Sequence, residues 1–164
     1  MGPVVVRSFE ERDVAPACAL ANYYIEHTAV HFGYTPDTDE QFRRVWVESV
    51  ARYPWIAAEV DGAFAGYAKC GVWRTREAYA LTAETGIYIA HAVQGKGVGK
   101  ALYHELIRRA RDAGLHLLVA GATLPNEASV RLHESVGFTR VGIFAECGRK
   151  FDRWHDVIFW QLKL

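Results

Sequence analysis

Across 164 residues, nineteen basic side chains balance nineteen acidic ones, which leaves no electrostatic footprint for nucleic acid. With 51% apolar and 23% charged residues, the composition is that of a soluble globular protein, and the length suits one domain with a real core. No apolar run approaches the roughly eighteen residues that span a bilayer, and MGPVVVRSFEERD lacks the basic region and long apolar core of a signal peptide.

Val4 to Phe9 is β-branched and short, and reads as a first strand. Asp13 then reads as an N-cap with Pro16 near a helix start, and from Val14 to about Thr28 the residues Ala17, Leu20, Ala21, Tyr24 and Ile25 share one stripe. After a loop through Phe32 and Pro36, Thr38 or Asp39 caps a second helix with Phe42, Val45, Trp46 and Val50 as its apolar face. Tyr53-Pro54 ends it, because the residue before proline is biased away from helical geometry.

Trp55 to Val60 and Ala63 to Val72 are strands joined by Asp61-Gly62, a two-residue hairpin signal. A polar connection from Trp73 to Glu77 leads into a strand from Tyr79 to Ala90, where Gly86 suggests a bulge or a close backbone approach. The third helix puts Val98, Ala101, Leu102, Leu106, Ala110 and Ala113 on one face and stops at Gly114. Leu115 to Ala122 is nearly all apolar, as in a strand buried on both faces. Asn126 caps a short helix with Val130 and Leu132 facing the core, closed by Gly137, and Phe138 to Phe144 and His155 to Leu164 are the last strands. The result is one α/β domain with a mixed sheet.

The chemistry concentrates at ETGIYIAHAVQGKGVG, Glu84 to Gly99, where the apolar period changes from two to 3.6 across alternating glycines. Glycines at a strand–helix junction let backbone N–H groups face a bound anion, and the helix N-terminus adds partial positive charge. A P-loop requires Ser or Thr after Lys100, and Ala101 stands there. A dinucleotide turn requires GxGxxG, but Lys100 or Leu102 occupies the third glycine position and no acidic residue follows the next strand. A plain structural turn remains open on the glycines alone.

Gln94-x-x-Gly97-x-Gly99 resembles the pyrophosphate motif of the GNAT superfamily of acetyl-CoA-dependent N-acetyltransferases, and Asn126, Ala128, Leu132 and Gly137-Phe138 resemble its second motif. Tyr53-Pro54-Trp55, Ala78-Tyr79 with Thr82-Ala83-Glu84, Leu124-Pro125-Asn126, Ser129 to Glu134 and Trp154 to Val157 are similar to the phosphinothricin and methionine sulfoximine or sulfone acetyltransferase group. The resemblance covers nearly the whole chain. It implies one N-acetyltransferase domain over residues 1–164: an α/β GNAT fold whose mixed, mostly antiparallel sheet is splayed and flanked by helices.

The same resemblance implies site residues. Ile87, Tyr88 and Ile89 would meet the pantetheine arm, while Gln94, Gly95, Lys96, Gly97, Val98, Gly99 and Lys100, with Asn126, would hold the rest of acetyl-CoA. Glu84 stands where the family places its general base, and His133 where most members carry a tyrosine acid toward the thiolate. Phe32, Arg74, Arg76 and Tyr79 fit the acceptor end, since guanidinium forks suit carboxylate, phosphinate or sulfone oxygens. Just after Phe32 this chain reads Gly33-Tyr34-Thr35-Pro36, where the phosphinothricin enzymes usually carry Arg-Thr-Glu-Pro, so the expected acceptor is a small amino-acid-like amine (phosphinothricin, methionine sulfoximine or sulfone, or a related compound), with phosphinothricin itself the less favoured of these.

His27 and His31 are four residues apart but lack HExxH and a third ligand, so no metal is expected. Cys18, Cys70 and Cys147 form no CxxC pair, which fits a reducing cytoplasm, and none belongs to a triad that would form an acyl-enzyme. No nucleic acid or membrane partner is expected, and the related enzymes imply a homodimer. Acetylation of a protein N-terminus or lysine, and an acyl-CoA sensor without turnover, are the alternatives.

Overall fold

The computed structural model describes residues 2–164. Seven strands form one sheet in the order β1-β2-β3-β4-β5-β7-β6: β1 (Val4–Ser8), β2 (Trp55–Val60), β3 (Ala63–Val72), β4 (Thr82–Ile89), β5 (Leu117–Thr123), β6 (Thr139–Lys150) and β7 (Arg153–Lys163). Four helices flank it: α1 (Val14–His27), α2 (Asp39–Val50), α3 (Val98–Asp112) and α4 (Glu127–Ser135). The expected order β-α-α-β-β-β-α-β-α-β-β is the observed one.

Because strand side chains alternate, the sheet buries two apolar layers. On one face Ile56, Ala58, Ala68 and Leu118 pack against Leu102 and Leu106 of α3, and Trp160 closes that layer. On the other, Trp55, Ala57 and Tyr67 meet Phe9, Phe42 and the small residues Ala17, Cys18 and Ala21 of α1. Phe9, Phe42, Trp55 and Tyr67 join edge to face or stacked, with Trp55 and Tyr67 at 6.2 Å.

Every neighbouring pair is antiparallel except β4 with β5, which is parallel. That pairing stops at Glu84↔Val119, although β4 continues to Ile89 and β5 to Thr123. β5 stays bonded to β7 as far as Thr123↔Val157, so the sheet opens in the middle and the β4 edge from Thr85 to Ile89 loses its strand partner.

Several boundaries differ from expectation for local reasons. Glu77 to Tyr79 form a single 3-10 turn, so β4 begins at Thr82 and not at Tyr79. Gly86 sits in unbroken register with Lys69 in the β3–β4 pair, and the register shifts fall instead between Ala58 and Glu59 of β2 and within the β6–β7 pair. Asp13 does not cap α1: it is buried, and its carboxylate accepts from Arg7 at 2.6 and 2.7 Å and from Glu10 N–H at 2.8 Å. Thr38 does cap α2, accepting from Gln41 N, and Asn126 caps α4, accepting from Ser129 N. On α2 only Phe42 is buried, while Val45 and Val50 are exposed, and Ala113 beyond α3 is exposed too. β6 and β7 run further toward their shared turn than their apolar segments suggested.

Candidate active site

The turn between β4 and α3 is shaped by backbone that only glycine adopts readily. Gly95 and Gly97 have φ of 72° and 85°, and Gly97 is the N-cap of α3 without a side-chain cap. A Cβ at either would meet open space, so conformation and access for a ligand set the requirement there. Gly99 has a different reason: a Cβ would come within 2.8 Å of Ile89 and 3.0 Å of Leu132, so it lets α3 sit against β4 and α4. Uncapped N–H groups at the start of α3, beside a concave glycine turn, fit a pyrophosphate.

The flanking polar residues brace this turn. Gln94 Nε2 donates to Tyr24 Oη at 2.8 Å, and Tyr24 Oη donates to the Ile89 carbonyl at 3.0 Å, tying the turn to α1. Lys96 Nζ donates to the Ala92 carbonyl at 2.7 Å, and Lys100 is exposed. Ile87 to Ile89 lie on the strandless edge of β4, where main-chain groups can pair with an extended ligand as with an added strand.

A cleft of about 1110 Å³ lies beside this opening, walled by the loop at Phe32, by α2, and by Trp55, Lys69, Glu84 and Tyr88. Glu84 is the last β4 residue paired with β5 and faces Gly71 across β3. Desolvation by the cleft walls raises its pKa, and the positive charge of Lys69 pulls the other way. A carboxylate so placed can take a proton nearer neutrality than a free glutamate can.

His133 lies behind the point where β4 and β5 part, only 2% exposed and stacked on Trp160 at 4.5 Å. Its Nδ1 lies 2.7 Å from the Ser129 carbonyl and Nε2 lies 2.7 Å from Tyr103 Oη, which in turn is 3.1 Å from Thr85 Oγ1. A carbonyl only accepts, so Nδ1 carries the hydrogen and Nε2 accepts from Tyr103. Burial lowers the pKa while the hydrogen bond to the Ser129 carbonyl pulls the other way, and both nitrogens are engaged. His133, Tyr103 and Thr85 thus form a buried hydrogen-bonded chain that borders the cleft, with Tyr103 Oη standing between the imidazole and Thr85.

The acceptor residues separate into two places. Phe32 is at the cleft mouth, its ring over Gly148 and 6.3 Å from the ring of His155. Lys150, 4% exposed, donates to the carbonyls of Ile25 and His31 at 2.5 and 2.6 Å, and Tyr34 Oη bonds the Arg149 carbonyl, so the hairpin of β6 and β7 clamps the Phe32 loop. Arg74, Arg76 and Tyr79 instead line a separate depression of about 380 Å³, with Arg74 5.1 Å over the Trp73 ring. The structure does not bring them into the main cleft. Asn126 reaches the cleft while its Oδ1 caps α4. His31 Nδ1 accepts from Gly33 N at 2.9 Å, and His27 packs on Tyr23 at 4.7 Å.

Lys69, Tyr103 and Lys150 do not stand out in the sequence, and Tyr24 stands out only as part of the apolar stripe of α1. Strand alternation in phase with Tyr67 places Lys69 on the cleft face. Tyr103 lies beside Leu102 on the buried side of α3 and was hidden among core positions. Nothing local marks Lys150, whose partners are 125 and 119 residues away.

Comparison with known proteins fits this architecture. The acetyltransferase (GNAT) family profile matches residues 20–138, and the chain belongs to that family. It is an acyltransferase that moves an acetyl group from acetyl-CoA to an amine. It is 40% identical over 163 residues to a phosphinothricin N-acetyltransferase of Streptomyces viridochromogenes, covering 97% of this chain and 87% of that one. It is 38% identical over 164 residues to an L-methionine sulfoximine/L-methionine sulfone acetyltransferase of Salmonella typhimurium, covering 98% and 95%. Among solved structures, a GNAT superfamily phosphinothricin acetyltransferase from Sinorhizobium meliloti in complex with AcCoA superposes with a TM-score of 0.94 at 28% identity, covering 98% and 88%.

Proposed function

We propose that the protein acetylates the amino group of a small amino-acid-like acceptor by direct transfer from acetyl-CoA. The observation that carries this is the position of Glu84, at the point where β4 and β5 part, between the strandless edge of β4 and the acceptor cleft. Glu84 removes the ammonium proton, directly or through water, and frees the amine lone pair to attack the thioester carbonyl. A backbone N–H of β4 meets the oxyanion and Tyr103 and His133 fix the wall behind it; as the carbonyl re-forms, the carbon–sulfur bond breaks and the leaving thiolate takes up the proton that the new amide nitrogen sheds, so CoA departs as the thiol. Gly95 to Lys100 hold the pyrophosphate and Ile87 to Ile89 the pantetheine arm. No step calls for a metal or an acyl-enzyme.

The finer assignments rest on physical support. A homodimer is favoured by β6, a twelve-residue edge strand whose Val141, Ile143 and Phe144 are all more than half exposed. Three free thiols, one of them exposed at Cys147, suit the cytoplasm.

Thiol release from acetyl-CoA, with product mass, should be measured against amino acids, methionine sulfone, methionine sulfoximine and phosphinothricin. Turnover with at least one of these is expected. Turnover only with a peptide N-terminus would move the acceptor to proteins, and acetyl-CoA binding without thiol release would make the protein a sensor.

A further inference from the structure

Strand alternation puts Tyr67, Lys69 and Gly71 of β3 on the same face as Glu84, Gly86 and Tyr88 of β4. Lys69 stands opposite Trp55 on one side and Gly86 on the other. Glu84 lies two residues along β4 from Gly86, so the lysine and the base are diagonal neighbours, a relation that separates side-chain origins by about 7–8 Å.

The Lys69 side chain crosses the space that Gly86 leaves open, its Cε and Cγ 3.6 and 3.7 Å from where a Cβ would stand there. Its ammonium rests 4.6 Å above the Trp55 ring and borders the cleft. The other inward-held ammonium, that of Lys150, has two carbonyl acceptors. Lys69 Nζ has no hydrogen bond or ion pair among the described residues. Burial lowers its pKa while the charge of Glu84, and more weakly that of Asp37, supports the cation. An ammonium partly stripped of water and left without an acceptor is costly, and an anion entering the cleft would offset that cost.

The competing cations are committed elsewhere. Arg52 also borders the cleft, but its Nη2 donates to the Ala80 carbonyl at 2.6 Å. Arg74 and Arg76 line the separate depression.

We propose that Lys69 is the acceptor-anchoring residue: its ammonium binds the carboxylate of an amino-acid acceptor while Glu84 receives the amine. A zwitterion carries its two charges one carbon apart, and two hydrogen bonds plus that short span fit a diagonal pair of opposite charge on one sheet face. Trp55, beneath the ammonium, holds the lysine stem and fixes where the charge sits. The assignment rests on the small-amine reading above and names the group that selects acids among amines.

The test compares an amino acid that the protein acetylates with the amine left by its decarboxylation, in the wild type, Lys69→Met and Lys69→Arg. Wild type should favour the amino acid. Lys69→Met should lower the ratio of kcat/KM for amino acid over decarboxylated amine by about 10- to 100-fold, the worth of a charge-assisted hydrogen bond, through a higher acceptor KM. Lys69→Arg should keep part of the preference, and KM for acetyl-CoA should not move. The ratio does not depend on how much of a variant is folded. An unchanged ratio in Lys69→Met overturns the assignment and leaves the small-amine reading standing. Turnover of neither amine by the wild type, with any acceptor of this class, overturns both.

Discussion

Replacing Lys150 by methionine would test how the acceptor mouth is built. Methionine keeps an unbranched apolar stem but removes the ammonium that bonds the carbonyls of Ile25 and His31 at 2.5 and 2.6 Å. Ile25 lies in the last turn of α1, where carbonyls lack helical partners and a cation is favoured. Two charge-assisted hydrogen bonds contribute about 1.5–3 kcal/mol each, offset in part because burying the ammonium is itself costly. The net loss expected is about 2–3 kcal/mol, read as a lower midpoint in urea unfolding with little change in slope. Freed from the clamp, the segment carrying Phe32 should hold the acceptor less well. Initial rates should show an acceptor KM raised several-fold, about 1 kcal/mol, with KM for acetyl-CoA unchanged. Wild-type stability in the variant, or an equal rise in both KM values, would refute the clamp.

Two further substitutions separate the coenzyme seat from the scaffold. Gly97→Ala forces a side chain into the left-handed conformation at φ 85°, at a cost of about 1–2 kcal/mol. Steady-state kinetics should show KM for acetyl-CoA raised about tenfold with acceptor KM little changed, since the space around the position is open. Asp13→Ala leaves the Arg7 guanidinium with Glu59 at 2.6 Å and Glu10 at 3.9 Å, in a site where Asp13 is 2% exposed. Loss of one partner of a buried pair costs about 3–5 kcal/mol, so the Tm should fall by roughly 10 °C, while the kinetics of the folded enzyme stay as they were.

Much of this molecule was legible because its signals are local. The change of period at the Gly95–Gly99 turn, the Asp61-Gly62 hairpin, the Thr38 and Asn126 caps and the terminating glycines at 114 and 137 each act within a few residues. Asp13 misled because a carboxylate just before a helix looks like a cap wherever it points, and its partner Arg7 lies across a turn on β1. The surroundings of His133 were hidden for a similar reason: its position matches a family role, but its burial is set by Tyr103 and Trp160, thirty and twenty-seven residues distant in the chain. The acceptor end is the least local part of the site. Arg74 and Arg76 are conspicuous in sequence yet face another depression, whereas Lys69 becomes visible only once β2, β3 and β4 are paired.

Glu84 as the base is tested most directly by the pH dependence of kcat/KM in the wild type and in Glu84→Gln, with CoA thiol release as the readout. The base must be unprotonated, and desolvation raises its pKa above the ordinary 4.5, so wild-type activity should climb with pH along an acid limb set above that value. Glu84→Gln should lose that limb and at least about tenfold in turnover, with KM for acetyl-CoA little changed. Turnover within about twofold of wild type across the pH range would contradict the role of Glu84.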